Sequence, residues 1–350
     1  MNATVEIPSP DDWHVHLRDD DMLGAVVKYT ATRFRYAMVM PNLVPPITTG
    51  DEAANYRSRI MAQVPPGCDE FCPLMTLYCT AGMDLADVRT AIEKGLVKAV
   101  KYYPAGATTN SAAGGSRLAD HLALFELLAE LDARLLVHAE STRSEVDVFD
   151  REAAFLDDEL LPLSERLPEL GITVEHISTK AGIDFVTQHA HVVGSITPHH
   201  LARDRSDLLA NGLAPDLYCK PVINSPADRE ALVDAATSGD ARFFLGTDSA
   251  PHPTTAKYGS RAKAGVFNAA YGLEVVAEVF YQVGSLELLG NFTSVNGAET
   301  YGYPVSNSQL RLTRKEVDAD VATSMTTRNG DEVVLFGSEE AAHWKIDRIE

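Results

Sequence analysis

His14 and His16 are separated by one residue in the run D-W-H-V-H-L-R at 12–18. In an extended strand that spacing puts both imidazoles on one face, close enough to share a metal ion. Further histidines close two other apolar runs, His138 in L-V-H-A-E and His176 in V-E-H-I-S. Taken singly, each is more often a hydrogen-bonded buried histidine than a ligand. Asp248 follows a fourth run in G-T-D-S-A-P-H, and His252 comes four residues later. Four histidines and an aspartate delivered to one place make a donor set for ions of the Zn2+ type. Lys101, in V-K-A-V-K-Y-Y-P, leaves two readings open. A lysine on an apolar inward face is costly unless neutralised, so it can pair with a nearby carboxylate. Carboxylated by CO2, it becomes an anionic bridge of the kind a two-metal site needs. Lys98, three residues earlier, points to the opposite face.

Short β-prone runs must carry these groups. They read as 12–17, 36–40, 73–79, 97–103, 134–139, 172–178, 191–197 and 242–247. Most are near-continuous in Val, Ile and Leu, the pattern of parallel strands covered on both faces. Helix-patterned stretches at 51–62, 84–94, 116–131 and 226–237 lie between them, with Asp84 and Ser116 as N-cap candidates and Gly95 as a stop. Strand–helix alternation repeated eight times predicts a closed (β/α)8 TIM barrel of the metal-dependent hydrolase type. In such barrels the chemistry collects at the carboxyl ends of the strands, where the histidines, Lys101 and Asp248 fall. After the last run, 269–285 reads as a further helix and the tail is polar and mixed. The expectation is a single barrel domain over 1–350 with a C-terminal helical extension.

The composition narrows the partners. Thirty Lys and Arg against 50 Asp and Glu give a formal net charge of -20. Nucleic acid and anionic membranes are poor partners for such a surface, because phosphate contacts need clustered cations. The acidity itself reads as a solubility feature. The start of the chain lacks the pattern of a secretory signal, and no run of 18 apolar residues is present. Four cysteines, with Cys68 and Cys72 spaced C-x3-C and no second pair, read as structural thiols in a reducing cytoplasm.

The collinear motifs H-V-H-L-R (14–18), M-P-N-L-V-P-P (40–46), K-Y-Y-P-A-G-A-T-T-N-S (101–111), L-V-H-A-E (136–140), E-H-I-S-T-K (175–180) and G-T-D-S-A-P-H (246–252) resemble the amidohydrolase superfamily. Within it they are similar to the dihydroorotases of the compact bacterial type. The resemblance spans residue 14 to about residue 300. It implies two Zn2+ ions: His14, His16 and Asp248 on one, His138 and His176 on the other, and N6-carboxylated Lys101 between them. It also implies a bridging water as nucleophile and Asp248 as general base, then general acid. The implied reaction is the reversible, zinc-dependent opening of L-dihydroorotate to N-carbamoyl-L-aspartate in pyrimidine synthesis. A homodimer is implied as well.

Both substrate forms carry a carboxylate, which calls for a fixed fork of donors. Arg18, two residues beyond the histidine pair, is placed to supply it, unless it pairs with Asp19–Asp21. Asn42 and His252 can add hydrogen bonds. The small, Gly-rich 105–115 segment has the composition of a lid, in which Thr108 and Thr109 match a substrate-binding pair. Lys220, in L-Y-C-K-P-V, stands where the family pattern has an apolar residue, and the 251–265 tract diverges except at Ala264–Gly265, where Ala264 can offer backbone contacts. His199 and His200 read as supporting residues, and His121, His189, His191 and His343 as surface or helix-capping ones. One alternative is a hydantoinase- or allantoinase-like hydrolase. Those relatives act on substrates without the carboxylate and wrap a small β-sandwich around the barrel, for which too few residues precede His14. The other alternative is a non-catalytic barrel scaffold, a kind that typically loses ligands, whereas every ligand position is filled here.

Overall fold

In the computed structural model, which describes residues 3–349, the chain begins with a short strand β1 (Thr4–Pro8). The barrel strands follow: β2 (Asp12–Val15), β3 (Tyr36–Val39), β4 (Cys72–Tyr78), β5 (Ala99–Tyr102), β6 (Arg134–Val137), β7 (Ile172–Val174), β8 (Val192–Ile196) and β9 (Phe243–Leu245). Among the described residues these eight form one parallel sheet in sequential order. All eight expected runs are therefore strands of a (β/α)8 barrel.

Alternation along each strand splits the sheet into two faces. Outward residues such as Val39, Leu77, Val100, Leu135, Val174 and Val192 pack under the surrounding helices in the main core. Inward residues Met38, Leu74, Ala99, Leu136, Val193 and Phe244 plug the barrel interior. Trp13 stacks on Tyr301 beside them, ring centroids 4.6 Å apart. Ala99 and Lys101, like Leu136 and His138, lie two apart on one inward face, so the apolar plug becomes the floor beneath the polar groups.

Local signals set the helices. Thr49 and Glu52 form a capping box for Gly50–Met61, and Asp84 caps Leu85–Glu93 through the amides of Ala86 and Asp87. Gly95 follows that helix at φ 68, a left-handed stop. Ser225 caps Pro226–Ala236. Ser116 does not cap: its hydroxyl binds Asp120, and the chain turns through a short 3-10 segment, Leu118–His121, before Leu122–Glu130.

The tail departs from the expected helical extension. A helix does run over Gly272–Gln282, but β10 (Gln309–Arg314) then pairs antiparallel with β1 and with β13 (Trp344–Ile349). A small hairpin of β11 (Ser324–Thr326) and β12 (Glu332–Val334) lies between. Gln309–Arg314 lies between β13 and a strand some three hundred positions away, partners that the local pattern of the tail cannot announce.

Candidate metal centre

The inward residues at the carboxyl ends of β2, β5, β6, β7 and β9 converge. His14 Nε2 and His16 Nε2 lie 3.4 Å apart and approach the same oxygen, Asp248 Oδ1, at 3.3 and 2.9 Å. Across the mouth, His138 Nδ1 and His176 Nε2 are 3.0 Å apart. The His14 and His176 rings, centroids 5.1 Å apart, join the two pairs. His14, His176 and Asp248 can direct ligand atoms to within 4.8 Å of one another. His176 and Asp248 sit at φ 44 and 45, a region non-glycine residues adopt only at a cost of about 1–3 kcal/mol. The turn of the backbone aims both side chains across the mouth.

The far side of each ring decides what the near side offers. His14 Nδ1 meets the Glu175 carboxylate, which only accepts, so the proton is on Nδ1 and the Nε2 lone pair faces Asp248. His16 Nδ1 binds Asn42 Oδ1 at 2.8 Å. The Asn42 amide is oriented by its other end, where Nδ2 donates to Thr109 O at 3.1 Å. His16 Nε2 therefore also presents a lone pair. His138 Nε2 meets Glu140 Oε2 at 2.7 Å, which leaves Nδ1 as the free donor to an ion. In their neutral forms His14 and His16 thus turn two lone pairs toward one carboxylate oxygen, a donor set that fits a cation.

Lys101 completes the donor set. It is fully buried, and among the described residues its Nζ has no hydrogen-bond partner. Burial pushes its ammonium down to about 8, against the pull of Glu175 and Asp248. A neutral amine is the form that adds to CO2. Burial also lowers His16 to about 4 and, with His138 and Lys101, takes His176 well below the usual imidazole range. Desolvation works to raise Asp248, but His14 and His16 overcome it and hold the carboxyl well below its ordinary value. His16, His138 and His176 are thus held neutral and Asp248 ionised, the protonation states of ligands, while at His14 the desolvation that would lower it is outweighed by Glu175 and Asp248, which raise it.

Above it lies a small cavity, about 20 Å³, lined by His16, Arg18, Asn42, Tyr103, Thr108, Thr109, His138, His176, Lys220, Asp248, Ala250, Ala264 and Gly265. His14 and Lys101 lie beneath this lining. Arg18, at φ 59, turns away from the aspartates that follow it: Asp19 is taken by Arg59 at 2.7 Å, while Arg18 Nε donates to Pro251 O and Nη2 meets His252 Nε2 at 3.1 Å. The 105–115 segment reaches over the cavity. Thr109 Oγ1 donates to Ala264 O at 3.2 Å, and Asn110 Nδ2 donates to Asn42 O at 3.1 Å. Gly115 anchors its base, since a Cβ there would lie 2.4 Å from the Tyr102 ring and 2.6 Å from His121 Nε2. His121 is thus buried under the segment against Tyr102 and Phe125, not on the surface as its sequence context suggests. Lys220 lines the cavity just before a cis Lys220–Pro221 peptide whose Pro221 carbonyl is held by His200 Nε2 at 3.1 Å.

Several residues around the site carry no sequence assignment. Tyr103 shares the inward face with Lys101 and lines the cavity, a position the two-residue period indicates. Glu140 and Glu175 stand within the motifs, each carboxylate against a ring nitrogen of a histidine of the cluster. Asp12, two residues before His14, accepts from Thr247 N at 2.8 Å, Thr247 Oγ1 at 2.6 Å and His14 N at 3.1 Å.

With fold and geometry in place, the comparisons with known proteins are decisive. The amidohydrolase family model matches residues 7–307. Over 341 residues the chain is 46% identical to a dihydroorotase of Rhizobium meliloti (strain 1021), covering 97% of this chain and 98% of the relative. It superposes on the crystal structure of Saccharomyces cerevisiae dihydroorotase in complex with 5-fluoroorotic acid with a TM-score of 0.90 and 29% identity, over 99% of this chain and 98% of that one. An L-hydantoinase from Arthrobacter aurescens shares the fold alone, at a TM-score of 0.75 and 18% identity over 92% of this chain and 78% of that one. The chain belongs to the amidohydrolase family and, within it, to the dihydroorotases, hydrolases that act on a cyclic amide.

Proposed function

We propose that this site interconverts L-dihydroorotate and N-carbamoyl-L-aspartate, closing or hydrolysing the ring amide. The observation that carries the reading is the convergence of His14, His16 and Asp248 acceptors beside the unpartnered Lys101 amine, under a cavity that Arg18 lines. In this reading His14, His16 and Asp248 hold one zinc ion and His138 and His176 the other. Lys101, once its neutral Nζ has added to CO2 to give a carbamate and release one proton, would serve as a ligand to both. When bound, the ion pair supplies Lewis acidity to the scissile carbonyl and to the attacking water.

The chain's own residues do the rest. Asp248, kept ionised, accepts the proton of the attacking water and delivers it to the departing ring nitrogen; ring closure reverses both transfers. Arg18 and Asn42 present donors to the substrate carboxylate, with His252 behind Arg18. Thr108 and Thr109 close the segment over the ring and exclude water, and Ala264 contributes its backbone. Lys220 places a further cation on the wall. The 5-fluoroorotic acid bound by the yeast relative is itself a carboxylic acid, which supports a carboxylate subsite. The formal charge of -20 makes such local cations the source of attraction for an anionic substrate. A cytoplasmic homodimer acting in pyrimidine synthesis, with no nucleic-acid or membrane partner, belongs to the same reading; among the described residues no helix is long and apolar enough to cross a membrane.

Arg18→Ala tests it. Dihydroorotate turnover should fall by about 100-fold or more in kcat/KM, the loss of one partner of a desolvated charge pair, with metal content intact. An unchanged kcat/KM, or wild-type turnover of hydantoin or allantoin exceeding that of dihydroorotate, would overturn it.

A further inference from the structure

Glu175 has no part in that reading, yet it is fully enclosed beside the cluster, its side chain 0% exposed. Its Oε2 accepts from His14 Nδ1–H and from Ser195 Oγ–H, the latter at 3.1 Å. Ser195 Oγ in turn receives the backbone N–H of His176 at 2.9 Å. A continuous path results: His176 N–H to Ser195, Ser195 O–H to Glu175, and His14 N–H to Glu175. It crosses from β2 to the end of β7 by way of β8. Gly246 makes room for it, because a Cβ there would lie 2.9 Å from Ser195 Cβ and 3.0 Å from His14 Cβ.

We infer that Glu175 is a positioning residue for the metal centre, fixing the His14 tautomer and, through Ser195, locking His14 to His176 so that the two ions keep their spacing. The inference rests on the reading that His14 and His176 hold different ions. Its physical basis is general. A carboxylate on the far nitrogen of a ligating imidazole fixes the ring, keeps the proton off the metal side and raises the basicity of the near nitrogen. Ser195 adds what a lone carboxylate cannot, a tie from that carboxylate to the backbone of the second ligand. Among the described residues Glu140 meets His138 through Oε2, and its Oε1 has no partner to carry a tie onward.

The test compares wild type with Glu175→Gln and Ser195→Ala. Glutamine keeps the shape and an acceptor for His14 and removes the charge. Metal retained against graded chelator, the visible spectrum of the Co2+-reconstituted protein, and the unfolding midpoint of the metal-free protein would be measured. Glu175→Gln should hold metal about 10–100-fold more weakly and shift the Co2+ spectrum, with the metal-free midpoint near that of wild type. Ser195→Ala should move affinity and spectrum the same way by less. Wild-type affinity and spectrum in Glu175→Gln would overturn the inference. So would a Glu175→Gln protein that does not fold alongside a folded Ser195→Ala with wild-type metal binding. A wild type that binds no metal would instead overturn the reading beneath it, and the inference with it.

Discussion

The two halves of the candidate centre are held by different means. Lys101, His138 and His176 stand at or just past β5, β6 and β7, which are neighbours in parallel ladders whose backbone register pairs Lys101 with Leu136 and Val137 with Val174. His14, His16 and Asp248 flank the β9–β2 seam, where among the described residues no ladder joins the two named strands, only an isolated bridge of Val15 to Ser249. Two backbone bonds close its upper end, Asp248 N to His14 O at 2.8 Å and His16 N to Ser249 O at 3.0 Å. Below them the Asp12 carboxylate takes the place of a ladder, accepting from Thr247 and from the His14 amide. Backbone register survives most substitutions, whereas closure by one side chain does not. The seam half is therefore where single changes should displace the chemistry.

The largest effect expected is on the seam residue that moves protons. Asp248→Asn should lower kcat by about 100- to 10,000-fold, the usual worth of a placed acid–base group. Steady-state kinetics on dihydroorotate measure it, and a loss under tenfold would strip Asp248 of that role and leave the seam as architecture only.

Next comes the seam's stability. Asp12→Ala leaves the amides of Thr247 and His14 unpaired in the interior, at about 1–3 kcal/mol each. A control on the ladder side is Thr76→Val, which removes the buried bond from Thr76 Oγ1 to Val39 O (2.6 Å) and should cost no more than about 1.5 kcal/mol. Denaturant midpoints of the metal-free proteins compare the two, and equal losses would erase the distinction between the halves.

The last effect is one of pH. Burial pushes the Asp12 carboxyl up to about 7, while the unfolded chain titrates near the ordinary value of about 4. The folded state thus keeps a proton that the unfolded state releases. Its contribution to stability is complete below about pH 4, is lost as pH rises toward about 7, and then levels off, with a slope no steeper than about 1.4 kcal/mol per pH unit. Asp12→Asn should flatten that portion of the stability profile in metal-free protein, and an identical slope in both proteins would assign the dependence elsewhere.

Much of this was legible in the sequence because parallel strands buried on both faces are locally encoded. A run such as R-L-L-V-H-A states its own conformation and, through the two-residue period, places His138 on the same face as Leu136. The clustering of His14, His16, His138, His176, Lys101 and Asp248 at strand ends followed from the barrel alone. Other features had no local signature. His121 reads as a surface or helix-capping residue, whereas the close approach of Gly115 at the base of the 105–115 segment admits its ring to a buried place. The strand Gln309–Arg314 reads as polar tail because it forms the middle of a sheet whose other strands, Thr4–Pro8 and Trp344–Ile349, lie elsewhere in the chain.

Sequence by itself determined the barrel, the identity of the convergent side chains and the resemblance that names their chemistry, since strand periodicity and motif order are properties of neighbouring residues. Tertiary structure alone decided which nitrogen of each histidine is free, that among the described residues the Lys101 amine is left without a partner, and that Asp12 fastens the seam. Those outcomes depend on hydrogen bonds between residues up to 235 positions apart, whose partners are chosen only when the sheet closes.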